Sequence, residues 1–139
     1  MTVRATGPFD VQLKPIPAYE TDAGAMLGRM SIDKQFHGDL EATSRGEMIT
    51  AGTAVKGSAA YSAVERVSGT LEGRRGTFVL QHTGVMDRGA PSLAITVVPD
   101  SGTGELAGLA GVMAIQIEGG KHAYTFDYEL PAAPGAAAP

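Results

Sequence analysis

Residues 58–86 read SAAYSAVERVSGTLEGRRGTFVLQHTGVM, and the fold turns on how they are read. Up to Leu71 apolar and polar residues alternate, with Tyr61, Ala63, Glu65 and Val67 on one face. From Gly76 the alternation resumes, with Phe78, Leu80 and His82 sharing a face. Period-two alternation is the mark of a half-buried strand. The intervening Glu72-Gly73-Arg74-Arg75 is a turn, so the segment predicts a β-hairpin.

The same pattern runs outward in both directions. Upstream lie FDVQLKPIPAYE from Phe9, AMLGRMSIDKQF from Ala25 and DLEATSRGEMI from Asp39. Pro15 and Pro17 withhold backbone donors, which places the second half of the first stretch on an edge or at a bulge. Downstream come Ser92 to Val98, Gly108 to Glu118 and KHAYTFDYEL from Lys121. The last sets His122, Tyr124, Phe126 and Tyr128 against Lys121, Ala123, Thr125 and Asp127. Asp100-Ser101-Gly102-Thr103-Gly104 is a turn cluster, and Gly119-Gly120 is a two-residue hairpin signal. The 19 glycines, roughly twice the usual share, punctuate these stretches without forming a linker. The best helical candidate, Glu47 to Ala63, is interrupted by Gly52 and Gly57.

Eight antiparallel strands at short spacing leave a sandwich or a closed up-and-down barrel. Glycine-rich strands favour the barrel, because sharply coiled sheets need glycine at their bends. The expected class is therefore all-β, an eight-stranded antiparallel β-barrel of lipocalin-like appearance. Residues 1–8 read as an N-terminal lead, 9–130 as the single barrel domain, and 131–139 as a disordered Ala/Pro tail.

Composition narrows the function classes. The chain has 139 residues, enough for one domain, with 43% hydrophobic and 19% charged residues. Cys is absent, which removes disulfides and thiolate chemistry. A net charge of −4 with scattered basic residues is a poor footprint for nucleic acid or an anionic membrane. No apolar run is long enough to span a bilayer and no signal-peptide core precedes the first strand, so a cytoplasmic location is expected. His37, His82 and His122 are too dispersed for a zinc motif; no metal and no cofactor is expected. The spacing Gly102-x-Gly104-x-x-x-Gly108 is one residue off the dinucleotide fingerprint and lacks a βαβ setting, so it reads as a turn.

Two residues stand out chemically. His82 shares a face with Phe78 and Leu80, and desolvation lowers the pKa of such an imidazole toward that of a general base. Glu65 alternates with Tyr61 and Val67, and a buried carboxylate with a raised pKa suits acid–base catalysis. If both face inward on neighbouring strands, they fall within hydrogen-bonding distance, with Tyr61 and Tyr124 as donors to a developing oxyanion. Glu65 and His82 are thus the candidate catalytic pair; Tyr61, Phe78, Tyr124 and Tyr128 are the candidate ligand-binding residues. Against this stands the plain alternative that all six do structural duty. Met26, Met30, Met48 and Met113 are candidates for an adaptable pocket lining or for core filling.

The run SGTGELAGLAGVMAIQIEGGKHAYTFDYEL, from Ser101, resembles the final hairpin of plant allene oxide cyclases. HGDLEATSRGEM, AYSAVERVSGTLEGRRGTFVLQHTG and SGTGELAGLAG together resemble an uncharacterised bacterial family assigned to an allene-oxide-cyclase-like barrel. The resemblance covers Phe9 to Leu130. It implies a barrel with a hydrophobic pocket that shapes a small apolar molecule, and homo-oligomeric association. The early functional glutamate of the cyclases has only Glu20 in its neighbourhood, without a matching motif around it, and their cysteine has no counterpart. The expected function is binding of a hydrophobic small molecule, with a cofactor-free isomerase or cyclase activity through Glu65 and His82. The alternatives are a carrier or sensor of an apolar molecule, or an oligomeric scaffold with a filled barrel.

Overall fold

Eight antiparallel strands form a closed barrel in simple sequential order. They are β1 (Val3–Ile16), β2 (Leu27–Phe36), β3 (Leu40–Gly52), β4 (Ala59–Leu71), β5 (Arg74–Asp87), β6 (Ala90–Val97), β7 (Ala110–Glu118) and β8 (Lys121–Glu129). The structure is a computed structural model that describes residues 2–22, 24 and 26–131. Among the described residues, the only helical turn is a 3₁₀ segment, Gly104–Leu106. The expected disorder of the tail falls, Pro131 apart, on residues outside those described.

Residues 3–8 are strand, not a lead. Their inward positions are Ala5 and Gly7, too small to stand out as an apolar stripe. Barrel closure requires strands staggered against each other, and β1 provides that stagger. Val3–Phe9 pairs with β8 and Phe9–Ile16 pairs with β2, so Phe9 alone belongs to both ladders. Pro15 thus lies in the half of β1 with one neighbour, where a missing N–H costs least.

Three hairpins close through two-residue turns. Glu72 and Gly73, Arg88 and Gly89, and Gly119 and Gly120 all have positive φ. Positive φ at both central residues is the I′ geometry, whose twist matches that of the flanking strands.

The two ends of the barrel differ. At the end carrying the β2–β3, β4–β5 and β6–β7 connections, the interior is filled. Phe78 stacks on Phe126 with ring centroids 5.8 Å apart, and Phe36 meets Tyr124 edge-on at 5.6 Å. Leu106 and Leu109, from the β6–β7 connection, are buried as a plug across this end. Thr103 holds the connection to β5: its N–H donates to the Thr77 carbonyl at 2.8 Å, and its Oγ1 accepts from the Thr77 N–H at 3.1 Å. At the opposite end the exposed apolar side chains include Leu13, Met26, Leu27, Val55, Leu93 and Ile117. That end is open.

Candidate binding site at the open end

The alternation of β2 to β5 sends Lys34, Ser44, Glu65 and His82 into the interior, where all four are buried. Ladder register brings them together: Ala63 lies opposite His82 and Glu65 opposite Leu80, so Glu65 and His82 are diagonal neighbours. Glu65 is 1% exposed and its carboxylate is fully engaged. Its Oε2 accepts from Lys34 Nζ at 2.8 Å and lies 2.5 Å from His82 Nε2; its Oε1 accepts from Ser44 Oγ at 2.6 Å. The Lys34 ammonium also sits 5.2 Å from the Phe9 ring centroid and 5.6 Å from that of Phe36, a cation–π cradle.

The expected contact between Glu65 and His82 is therefore present, but the expected raised carboxyl pKa is not. Burial alone pushes the Glu65 pKa up. The hydrogen bond from His82, the charge and hydrogen bond of Lys34 and the hydroxyl of Ser44 outweigh it and bring the value down to about 2. Glu65 is a permanent carboxylate. Since a carboxylate only accepts, the proton in the short contact is on His82 Nε2.

Tyr61 lies two residue pairs further toward the open end, opposite Gly84. Its ring covers Gly84, occupying the place a Cβ there would need. The ring centroid is 6.3 Å from that of His82, and the hydroxyl has no hydrogen-bond partner among the described residues. Burial, then the charge of Glu65, raises the phenol pKa. Tyr61 thus stays a neutral donor.

Beyond Tyr61 opens a cavity of about 730 Å³. Met48, Thr50, Tyr61, Gly84, Met86 and Leu93 are among its walls, and the β3–β4 loop forms one lip. Of the expected ligand-binding residues, Tyr61 alone reaches it. Phe78 is stacked in the filled end. The Tyr124 hydroxyl donates to the His37 carbonyl at 2.7 Å and accepts from the Leu40 N–H at 2.8 Å. Tyr128 donates to Glu72 at 2.5 Å, and burial together with that carboxylate pushes its pKa up to about 12. These three lie toward the plugged end, away from the cavity. Of the methionines, Met26 and Met48 line the cavity, whereas Met113 is core. Leu93 and Met86 were not singled out from the sequence. Nothing in their alternation distinguishes a cavity wall from a core position.

Fold and site together define a small up-and-down β-barrel, plugged at one end and hollow at the other, with a neutralised charge cluster across its middle. The chain belongs to the DUF3224 family, described as a protein of unknown function, whose model matches residues 5–128. It is similar to a DUF3224 protein of unknown function from Shewanella oneidensis MR-1, known from a crystal structure. The two share 54% identity over 96% of this chain and 100% of that one, with a TM-score of 0.90. No curated protein matches.

Proposed function

We propose that the barrel binds a small apolar molecule in its open end, as a carrier or sensor. The observation that carries this reading is the cavity of about 730 Å³, within the usual size range of small-molecule sites. Its walls are mainly apolar, and the free Tyr61 hydroxyl offers one directional anchor at the inner end. Methionines in the lining adapt to ligand shape at little cost. A filled scaffold has no use for such a void. The test is titration with the neutral fluorophore N-phenyl-1-naphthylamine, which brightens on entering an apolar site. Saturable brightening is expected, weakened about tenfold or more by Met48→Trp, whose larger ring intrudes on the cavity wall. A linear, unsaturated response, unchanged in that variant, sinks the reading. Native mass spectrometry of the same protein reads the expected homo-oligomeric state, and fractionation of its host the expected cytoplasmic location.

A second reading, an isomerase or cyclase for a hydrophobic reactive intermediate, is favoured by one observation. His82 Nε2 is held by Glu65, which leaves Nδ1 as the ring nitrogen without a hydrogen-bond partner among the described residues, on a ring whose centroid lies 6.3 Å from that of Tyr61. The resemblance of the sequence from Ser101 to Leu130 to allene oxide cyclases would point the same way. This reading uses Glu65 to orient His82 and not as an acid. Incubating a retained ligand with the protein separates the two. An unchanged compound supports the carrier; conversion that His82→Gln abolishes supports the enzyme.

A further inference from the structure

Among the described residues lining the cavity, Lys56 is the only charged one. It stands on the β3–β4 loop, Thr53–Ser58, at the lip. The whole chain carries a net charge of −4, so this cation is a local feature and not part of a generally basic surface. It forms no ion pair among the described residues. The neighbouring turn also bears Arg88, but its guanidinium faces Asp87 at 3.8 Å.

The loop that carries Lys56 is anchored on both sides. Thr53 Oγ1 donates to the Ser58 carbonyl at 2.8 Å and accepts from the Val55 N–H at 3.2 Å. The Gly89 N–H donates to the Gly57 carbonyl at 2.9 Å, and the Arg88 N–H to Ser58 Oγ at 3.0 Å. The last two bonds tie the lip to the β5–β6 turn beside it, at the end of the β4–β5 ladder. Together the bonds engage the Thr53 hydroxyl as donor and acceptor and the Ser58 hydroxyl as acceptor. The lip therefore offers an anchored backbone and carries one exposed lysine at the edge of the cavity.

We infer that the ligand is an amphipathic anion, an apolar body bearing a carboxylate or similar monoanionic head. Its body lies against Met48, Tyr61 and Leu93 and its head meets Lys56 at the rim. This inference rests on the apolar-cavity reading above and adds the charge of the ligand to it. An apolar interior with one cation at its edge discriminates by head group, because a neutral or cationic head of the same chain length leaves the ammonium unpaired or repelled. The contact is at the edge of solvent, so salt weakens it.

The experiment displaces bound N-phenyl-1-naphthylamine with three compounds of one chain length: dodecanoate, 1-dodecanol and dodecylamine. Dodecanoate is expected to bind about tenfold more tightly than the other two at low salt. Lys56→Gln, on an exposed loop, brings dodecanoate down to the affinity of 1-dodecanol for the same variant, and Lys56→Glu reverses the preference toward dodecylamine. Equal binding of all three compounds overturns the inference and leaves the apolar cavity standing. So does an acid preference that survives Lys56→Gln but is lost in Tyr61→Phe, which would put the head group at the inner end. Failure of the fluorophore itself to bind saturably overturns the underlying reading as well.

Discussion

Glu65 holds a full charge inside the barrel because Lys34, His82 and Ser44 all converge on its two oxygens. Breaking such a set from one side strands the remaining charge. Glu65→Gln leaves the Lys34 ammonium buried without its counter-ion and is expected to cost about 3–5 kcal/mol in chemical denaturation. Removing both charges, Lys34→Met with Glu65→Gln, is expected to cost clearly less than the sum of the single variants. Additive losses would mean the two residues are not coupled. The pH dependence follows from the same contacts. The carboxyl titrates near 2 in the fold against an ordinary 4.5. A depressed folded pKa contributes stability that is fully present above the ordinary value and is lost as pH falls through the folded one. That contribution is about 3 kcal/mol. Urea titrations between pH 6 and 2 should therefore show a drop that flattens in Glu65→Gln. An equal drop in both proteins would assign it to other carboxylates.

At the scale of the elements, two glycines separate packing that can yield from packing that cannot. A Cβ on Gly46 would press on the Val64 carbonyl and the Glu65 backbone of the adjacent strand. A Cβ on Gly84 would meet the Tyr61 ring, the end of a side chain that can rotate away. Gly46→Ala is expected to cost about 3 kcal/mol and Gly84→Ala about 1 kcal/mol. The second variant should also weaken fluorophore binding, because it displaces Tyr61 into the cavity. The reverse order of stabilities would show that the strands part more easily than the ring turns. The hairpin turns offer a gain. Arg88 occupies a left-handed position, φ 48°, which costs a residue with a Cβ about 1–2 kcal/mol. Arg88→Asn suits an I′ turn and keeps the backbone donor to Ser58. It should raise the melting temperature.

For the molecule as a whole, the barrel is closed but not evenly so. The β6–β7 ladder consists of Ile95↔Met113 and Thr96↔Val112. Toward the open end, Ala90–Ala94 and Ala114–Glu118 face one another without ladder pairs. Pro91 and Leu93, on the β6 side of that seam, line the cavity. Native-state hydrogen exchange is expected to be fastest for the seam-facing amides of these two segments, and to slow there on ligand binding. Uniform protection around the barrel would remove the seam as the weak point. The plug at the other end explains the division of the interior. With Leu106 and Leu109 across it, the aromatic rings of β5 and β8 fill the space beneath and leave the void at the opposite mouth.

Strand alternation and the turns at Glu72-Gly73 and Gly119-Gly120 are local properties, set by side-chain period and by which residues accept positive φ. They were legible residue by residue, and with them the grouping of Glu65 with Tyr61 and of His82 with Phe78. The start of β1 at Val3 was not, because Ala5 and Gly7 alternate without contrast in size or polarity. Which face turns inward, and that Lys34 joins Glu65 and His82, depends on ladder register across strands. The assignment of Phe78, Tyr124 and Tyr128 to the core, and of Met48 and Leu93 to the cavity, was likewise a tertiary outcome. Their local patterns are alike. What separates them is which end of the barrel the β6–β7 connection folds back to plug, a contact between residues far apart in the chain.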